Sequence, residues 1–244
     1  MKLGLSSLLF VRSSIEDAVR TIAELGSECI EVIYDVPHFM PDHDPRQLGG
    51  LKELIDSYGL DIAVHGSFWD LNPASHCREI REFSLRQAKR SIEACKHLGG
   101  KILALHPGRA AIPELEWFMR EANQRCLDFF EECSAFARES GVKLAIENIG
   151  LPYYTCSSLE ELGEIVDGRE ELGITLDIGH AYRREKAAGI ENPEQDLAEA
   201  IKRLGKKITH VHLHDNHGER DEHLVPGQGS IDYEQIVSAL KAIG

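Results

Sequence analysis

Seven times over, the chain passes from a short apolar run to an amphipathic stretch, and this alternation restricts its fold more than any other feature. The runs are "KLGLSS", "CIEVIY", "DIAVHG", "KILALHPG", "VKLAIENIG", "GITLDIGH" and "KITHVHLHD". Between and after them lie stretches with helical spacing. "SIEDAVRTIAELG" has Ser14 at its start and Gly26 just past its end, the usual start and stop signals. In "IPELEWFMREANQRCLDFFEECSAFARESG", Leu115, Phe118, Ala122, Cys126, Phe129, Cys133 and Phe136 recur at helical intervals, which predicts one long amphipathic helix. Strand followed by helix, repeated, means a parallel sheet flanked by helices. A nucleotide-binding open sheet would carry a glycine-rich turn after its first strand. Here that turn reads "SSLLFVRSS", and neither GxGxxG nor GxxxxGK[ST] occurs. The expectation is an α/β chain of TIM-type (β/α) barrel architecture, one domain over residues 1–244. Only seven β/α repeats are visible, so the eighth strand is expected to be missing. The first and seventh strands would then be open edges, prone to self-association.

Charge and composition narrow the partners. The net charge of -14 gives no general attraction to a phosphate backbone or an anionic membrane. No apolar run approaches the roughly 20 residues of a membrane-spanning helix. The start, "MKLGLSSLLFVRSSIEDAV", is interrupted by Arg12, Glu16 and Asp17 and reads as a strand and loop, not a leader. The six cysteines form no CxxC pair and read as free, mostly buried thiols of a cytoplasmic protein.

Chemistry gathers at the strand ends. The third strand ends in His65, the fourth in His106, the fifth in Glu147 and the sixth in Asp177, with His180 three residues on. The seventh carries His212, and the loop beyond it holds Asp221 and His223. In a barrel the carboxyl ends of the strands share one mouth. Histidines and carboxylates without cysteine suit a divalent metal that keeps a position open for substrate. Glu147 and Asp177 close apolar strands, where a carboxylate without a partner is costly. His210 reads as a packing residue, His214 and His217 as bystanders, and Asp215 stays open between ligand and loop residue. Near the mouth, Arg109 and Arg183 could hold an anion. Phe68 and Trp69 could wedge into a base stack or cover a sugar.

The segments "HGSFWDLNPAS", "ALHPG", "LAIEN", "LDIGHAY", "HLHD" and "DEHLVPGQGSIDY" together resemble the xylose isomerase-like TIM-barrel superfamily. That superfamily holds endonuclease IV and many sugar isomerases and epimerases. The resemblance to endonuclease IV implies up to three metals, zinc by preference, with manganese or magnesium as alternatives. His65 and His106 would bind the first and Glu147 would bridge to the second. Asp177 and His212 would hold that second metal, and His180, Asp221 and His223 the third. The implied activity is phosphoester hydrolysis on abasic DNA or a related phosphodiester, and the set His180, Asp221 and His223 favours it. The alternative is a one-metal sugar or sugar-phosphate isomerase or epimerase with Glu147 as the acid/base group. A third possibility is a metal-binding barrel without catalysis. The chain departs from the superfamily in ending before the eighth-strand glutamate.

Overall fold

The structure, a computed structural model, describes residues 1–244. In chain order its elements are β1 (Gly4–Ser6), α1 (Ile15–Glu24), β2 (Cys29–Ile33), α2 (Gly49–Ser57), β3 (Asp61–His65), α3 (Arg78–Leu98), β4 (Ile102–Leu105), α4 (Glu116–Ser140), β5 (Lys143–Glu147), α5 (Leu159–Ile165), β6 (Leu172–Asp177), α6 (Ile178–Ala187), α7 (Pro193–Leu204), β7 (Ile208–His212) and α8 (Tyr233–Ile243). The seven strands form one sheet in the order β1-β2-β3-β4-β5-β6-β7. Sequential parallel order, with a helical connection at every step, is the arrangement of a TIM-type barrel. All seven strands expected from the sequence are present.

The chain's contacts gather into two compact units. The first comprises Lys2–Leu105 and Gln124–Leu144. Its ladders are parallel, with Ile30 paired to Ile62 and Val64 to Leu103. The Ser14 side chain caps α1 by accepting from the Asp17 amide at 3.1 Å. The helix then buries Ile15, Ala18, Val19 and Ile22, an i, i+3, i+4, i+7 stripe. Each large apolar side chain so withdrawn from water contributes about 2 kcal/mol. The longer α3 ends at Gly99, whose φ of 81° closes the helix in the left-handed region that glycine enters freely.

The second unit comprises His106–Asn123 and Ala145–Gly244 together with Met1. β6 is buried at every position, as a strand covered on both faces requires. It pairs with β7 so that Asp177 stands opposite His212. The Ser158 hydroxyl and the Glu161 carboxylate cap the start of α5 reciprocally. No helix is long and apolar enough to cross a membrane.

Two local expectations are corrected. The stretch "GITLDIGH" is not strand throughout: β6 stops at Asp177 and α6 begins at Ile178. The Asp177 carboxylate accepts the His180 amide at 2.7 Å and thereby starts the helix. Along α4 the fully buried stripe is Ala122, Cys126, Phe130, Cys133 and Ala137. Phe129 and Phe136 flank it, half-buried.

Candidate metal centre

Adjacent parallel strands deliver the central residues side by side. Glu147 is the last residue of β5, Asp177 of β6 and His212 of β7, while His106 directly follows β4. Glu147 is 2 % exposed and Asp177 is 1 % exposed. Glu147 Oε2 lies 3.3 Å from His106 Nε2. Its Oε1 lies 3.4 Å from the Nδ1 of His180 and 3.4 Å from that of His212. Asp177 Oδ2 is 3.7 Å from His212 Nδ1. One donor atom from each of Glu147, Asp177 and His212 lies within 4.8 Å of the others. Donors about 2.0–2.2 Å from a common ion stand at most about 4.4 Å apart, so small side-chain adjustments would let this set close on a divalent cation.

The electrostatics agree with the donor chemistry. Burial by itself would raise the Glu147 pKa, but His212, His106 and His180 hold it well below the usual carboxylate range. Burial acts on Asp177 in the same sense and is outweighed by His180, His212 and His214. The surrounding imidazoles thus favour the anionic form of both carboxylates, the form that metal ligation requires.

A second group adjoins the first through Asp177. His214 Nε2 lies 3.0 and 3.1 Å from the two Asp177 carboxylate oxygens. The His214 ring stacks on His223 with centroids 3.9 Å apart. His180 donates from Nδ1 to the Asn148 carbonyl at 3.0 Å, and its Nε2 lies 3.1 Å from Asp221 Oδ2. Asp221 Oδ1 is 3.2 Å from His223 Nε2. His180, His214, Asp221 and His223 thus offer a further set of metal-competent donors. Residue-by-residue reading set His214 aside. A signal was present in Gly179, where any Cβ would fall on the His214 ring.

Asp215 organises the loop that carries Asp221 and His223. Its carboxylate accepts from the amides of Asn216 (2.9 Å), Gly227 (2.8 Å), Gly229 (3.0 Å) and Ile231 (3.2 Å). Its backbone pairs in both directions with Leu224, at 2.8 and 2.9 Å. Burial would raise its pKa, and the four amides outweigh that and lower it. Asp215→Asn turns one acceptor into a donor that faces these amides. It is expected to cost about 2 kcal/mol in urea unfolding. Ionised Asp215 stabilises the fold above the unfolded carboxylate pKa of about 3.9, so the gap to the variant should narrow as pH falls below about 4. Equal stability of the two proteins at neutral pH would show that the carboxylate is not a clamp.

The remaining predicted residues are placed as follows. His65 ends β3 in the first unit, buried, with Nδ1 2.8 Å from the Gly66 carbonyl and its ring edge-on to Phe68. Phe68 and Trp69 lie tilted against each other, with centroids 4.7 Å apart and planes at 37°. The Asp35 carboxylate accepts both of their amides, at 2.8 and 3.0 Å, while Trp69 remains 54 % exposed. Arg109 belongs to the second unit and lies exposed, on a backbone bridge to Tyr154, with its guanidinium 5.9 Å from that ring. Arg183, on α6, is buried and donates to the Ile149 carbonyl at 3.0 Å. His210 packs edge-on against His212, and His217 pairs with Glu222 in the loop beyond β7.

With this fold and this centre, the chain belongs to the xylose isomerase-like TIM barrel family, whose model matches residues 19–244. It is similar to an uncharacterized protein of Methanocaldococcus jannaschii, at 35% identity over all of this chain and 80% of that one. It is similar to the inosose isomerase of Bacillus subtilis, at 32% identity over 69% of this chain and 58% of that one. Among solved structures, a D-tagatose 3-epimerase-like protein matches with a TM-score of 0.84 and 32% identity, over 100% of this chain and 87% of that one. These relatives overturn the expectation of an endonuclease IV-like phosphoester hydrolase acting on abasic DNA, since those with named activities are sugar isomerases and epimerases. That expectation rested on His180, Asp221 and His223 serving only a third metal. In the structure the three are bound to one another and, through His180 and Asp177, to the central group, so their presence does not single out a nuclease.

Proposed function

We propose that this protein is a metal-dependent isomerase or epimerase of a sugar or cyclic polyol ketone. The observation that carries the reading is the convergence of Glu147, Asp177 and His212 at three neighbouring strand ends. The names of the relatives support it: both an inosose isomerase and a 3-epimerase-like protein suggest proton transfer at a carbon next to a carbonyl. Asp177, His212 and Glu147 would hold one divalent cation. When bound, the cation polarises the carbonyl and neighbouring hydroxyl oxygens of the substrate and makes the adjacent C–H bond more acidic.

The side chains divide the remaining work. Glu147, kept ionised by the imidazoles around it, takes the proton from the carbon beside the carbonyl. In an isomerisation it delivers that proton to the former carbonyl carbon, while the hydroxyl proton moves to the old carbonyl oxygen. His106 and His180 flank its two oxygens and fix their direction. Asp177, shielded from water, holds His214 and starts α6, which sets the position of His180.

The test is proton exchange. Chelator-treated protein reloaded with manganese or magnesium, incubated in deuterated water with a panel of ketoses and inososes, should wash out the proton next to a carbonyl. Proton NMR reads the exchange, and chelation should abolish it. A metal-loaded protein that exchanges no proton from any member of the panel would sink the reading.

A further inference from the structure

We infer that Arg183 receives an anionic group, phosphate or carboxylate, carried by the substrate of this centre; the inference rests on the reading of the centre as a sugar-converting site. Arg183 is only 8 % exposed, yet its one polar contact is the Ile149 carbonyl at 3.0 Å. No carboxylate lies within ion-pair reach of it. A guanidinium has five N–H donors and cannot shed its charge. A neutral carbonyl takes up one donor and compensates none of the charge. Its other guanidinium nitrogens are not among the buried polar atoms left without a partner, so they meet solvent and stay open to a ligand.

Its neighbours on α6 do not pair with it: Arg184 follows directly, Glu185 feels Arg184 and Asp196, and Lys186 lies one turn on. The site's own carboxylates are engaged elsewhere. Glu147 faces His106, His180 and His212, while Asp221 faces His180 and His223.

Position links this cation to the centre. His180 and Arg183 are three residues apart on one helix, so they occupy one face with Cβ atoms about 5–6 Å apart. They donate to consecutive carbonyls, Asn148 and Ile149, in the segment that directly follows Glu147. Gly150 lets this segment lie against α6, because a Cβ there would strike the His180 carbonyl. A ligand seated beside Glu147 and His180 therefore has a buried guanidinium one helical turn away. Its planar fork matches a phosphate or carboxylate in two-point contact.

The experiment measures anion binding without turnover. Inorganic phosphate and acetate are titrated separately, by calorimetry, into the metal-loaded protein and into Arg183→Met and Arg183→Lys. Met preserves the length and apolar stem of the side chain, and Lys preserves the charge but not the fork. Weakening of phosphate binding by roughly tenfold or more in Arg183→Met supports the inference and points to a phosphorylated substrate. The same loss for acetate alone supports it and points to a sugar acid. If Arg183→Met fails to fold, Arg183→Lys decides, with a several-fold loss expected. Both anions bound by the variants within about twofold of the parent, or neither bound by the parent, overturns the inference. Arg183-dependent anion binding without proton exchange on any sugar would leave this site standing and remove the enzymatic reading instead.

Discussion

Glu147→Gln is expected to lower the rate of substrate proton exchange by about 10³-fold while leaving the fold in place. The substitution keeps the shape of a side chain that is 2 % exposed. It removes the one property the proposed chemistry requires there, a carboxylate able to accept and return a proton. It also places a neutral amide opposite His106, His180 and His212, each 3.3–3.4 Å from the native oxygens. Metal affinity should fall as well, since one of the two anionic donors is lost. Saturating metal separates the two effects. If added manganese restores the Gln variant to within about tenfold of the parent rate, Glu147 is a ligand and not the proton carrier.

The fold was legible because parallel strands write themselves plainly. "LAIE" and "ITLD" are nearly continuous apolar runs, each ending abruptly in a carboxylate, and the structure ends β5 and β6 at those residues. Helical periodicity located α4 but chose Phe129 over Phe130, and a one-position error of this kind turns a side chain by about 100°. The start of α6 was hidden for a physical reason. Asp177 is at once the last residue of a strand, the cap of a helix and a candidate ligand, and only the ligand role was read from the sequence.

Within the site, the residues that lie on strand ends were legible and the residues positioned by loops were not. His212 takes its place from the β7 ladder, opposite Asp177. His214 lies beyond the strand, where the alternation of side chains no longer predicts direction. Its place is set by Asp177 on one side, by the stacked His223 on another, and by the Tyr233 hydroxyl donating to its carbonyl at 2.8 Å. None of these contacts is local in sequence. The substrate was misread for a different reason. Imidazoles and carboxylates converging on a divalent cation serve phosphoester hydrolysis and sugar enolisation alike, so the donor set carries the metal argument without choosing the substrate.

Asp177→Ala should be the most disruptive single change in the chain, because one carboxylate has three uses. As the cap of α6 it contributes about 1 kcal/mol. As the counter-charge for buried imidazoles it contributes more, and leaving such groups uncompensated costs about 3 kcal/mol. The expected loss is thus about 4 kcal/mol in chelator-treated protein, measured by urea unfolding, with proton exchange abolished at any metal concentration. Asp177→Asn separates the uses. Its carbonyl oxygen can still accept the His180 amide, so the cap survives, while the charge facing His214 and the anionic donor to the cation are gone. The Asn variant should therefore recover about 1 kcal/mol of stability relative to Ala and none of the activity. Equal stability of Asn and Ala would mean that the cap contributes nothing. An active Asn variant would mean that the cation does not need Asp177, and the centre would have to be redrawn around His106 and Glu147.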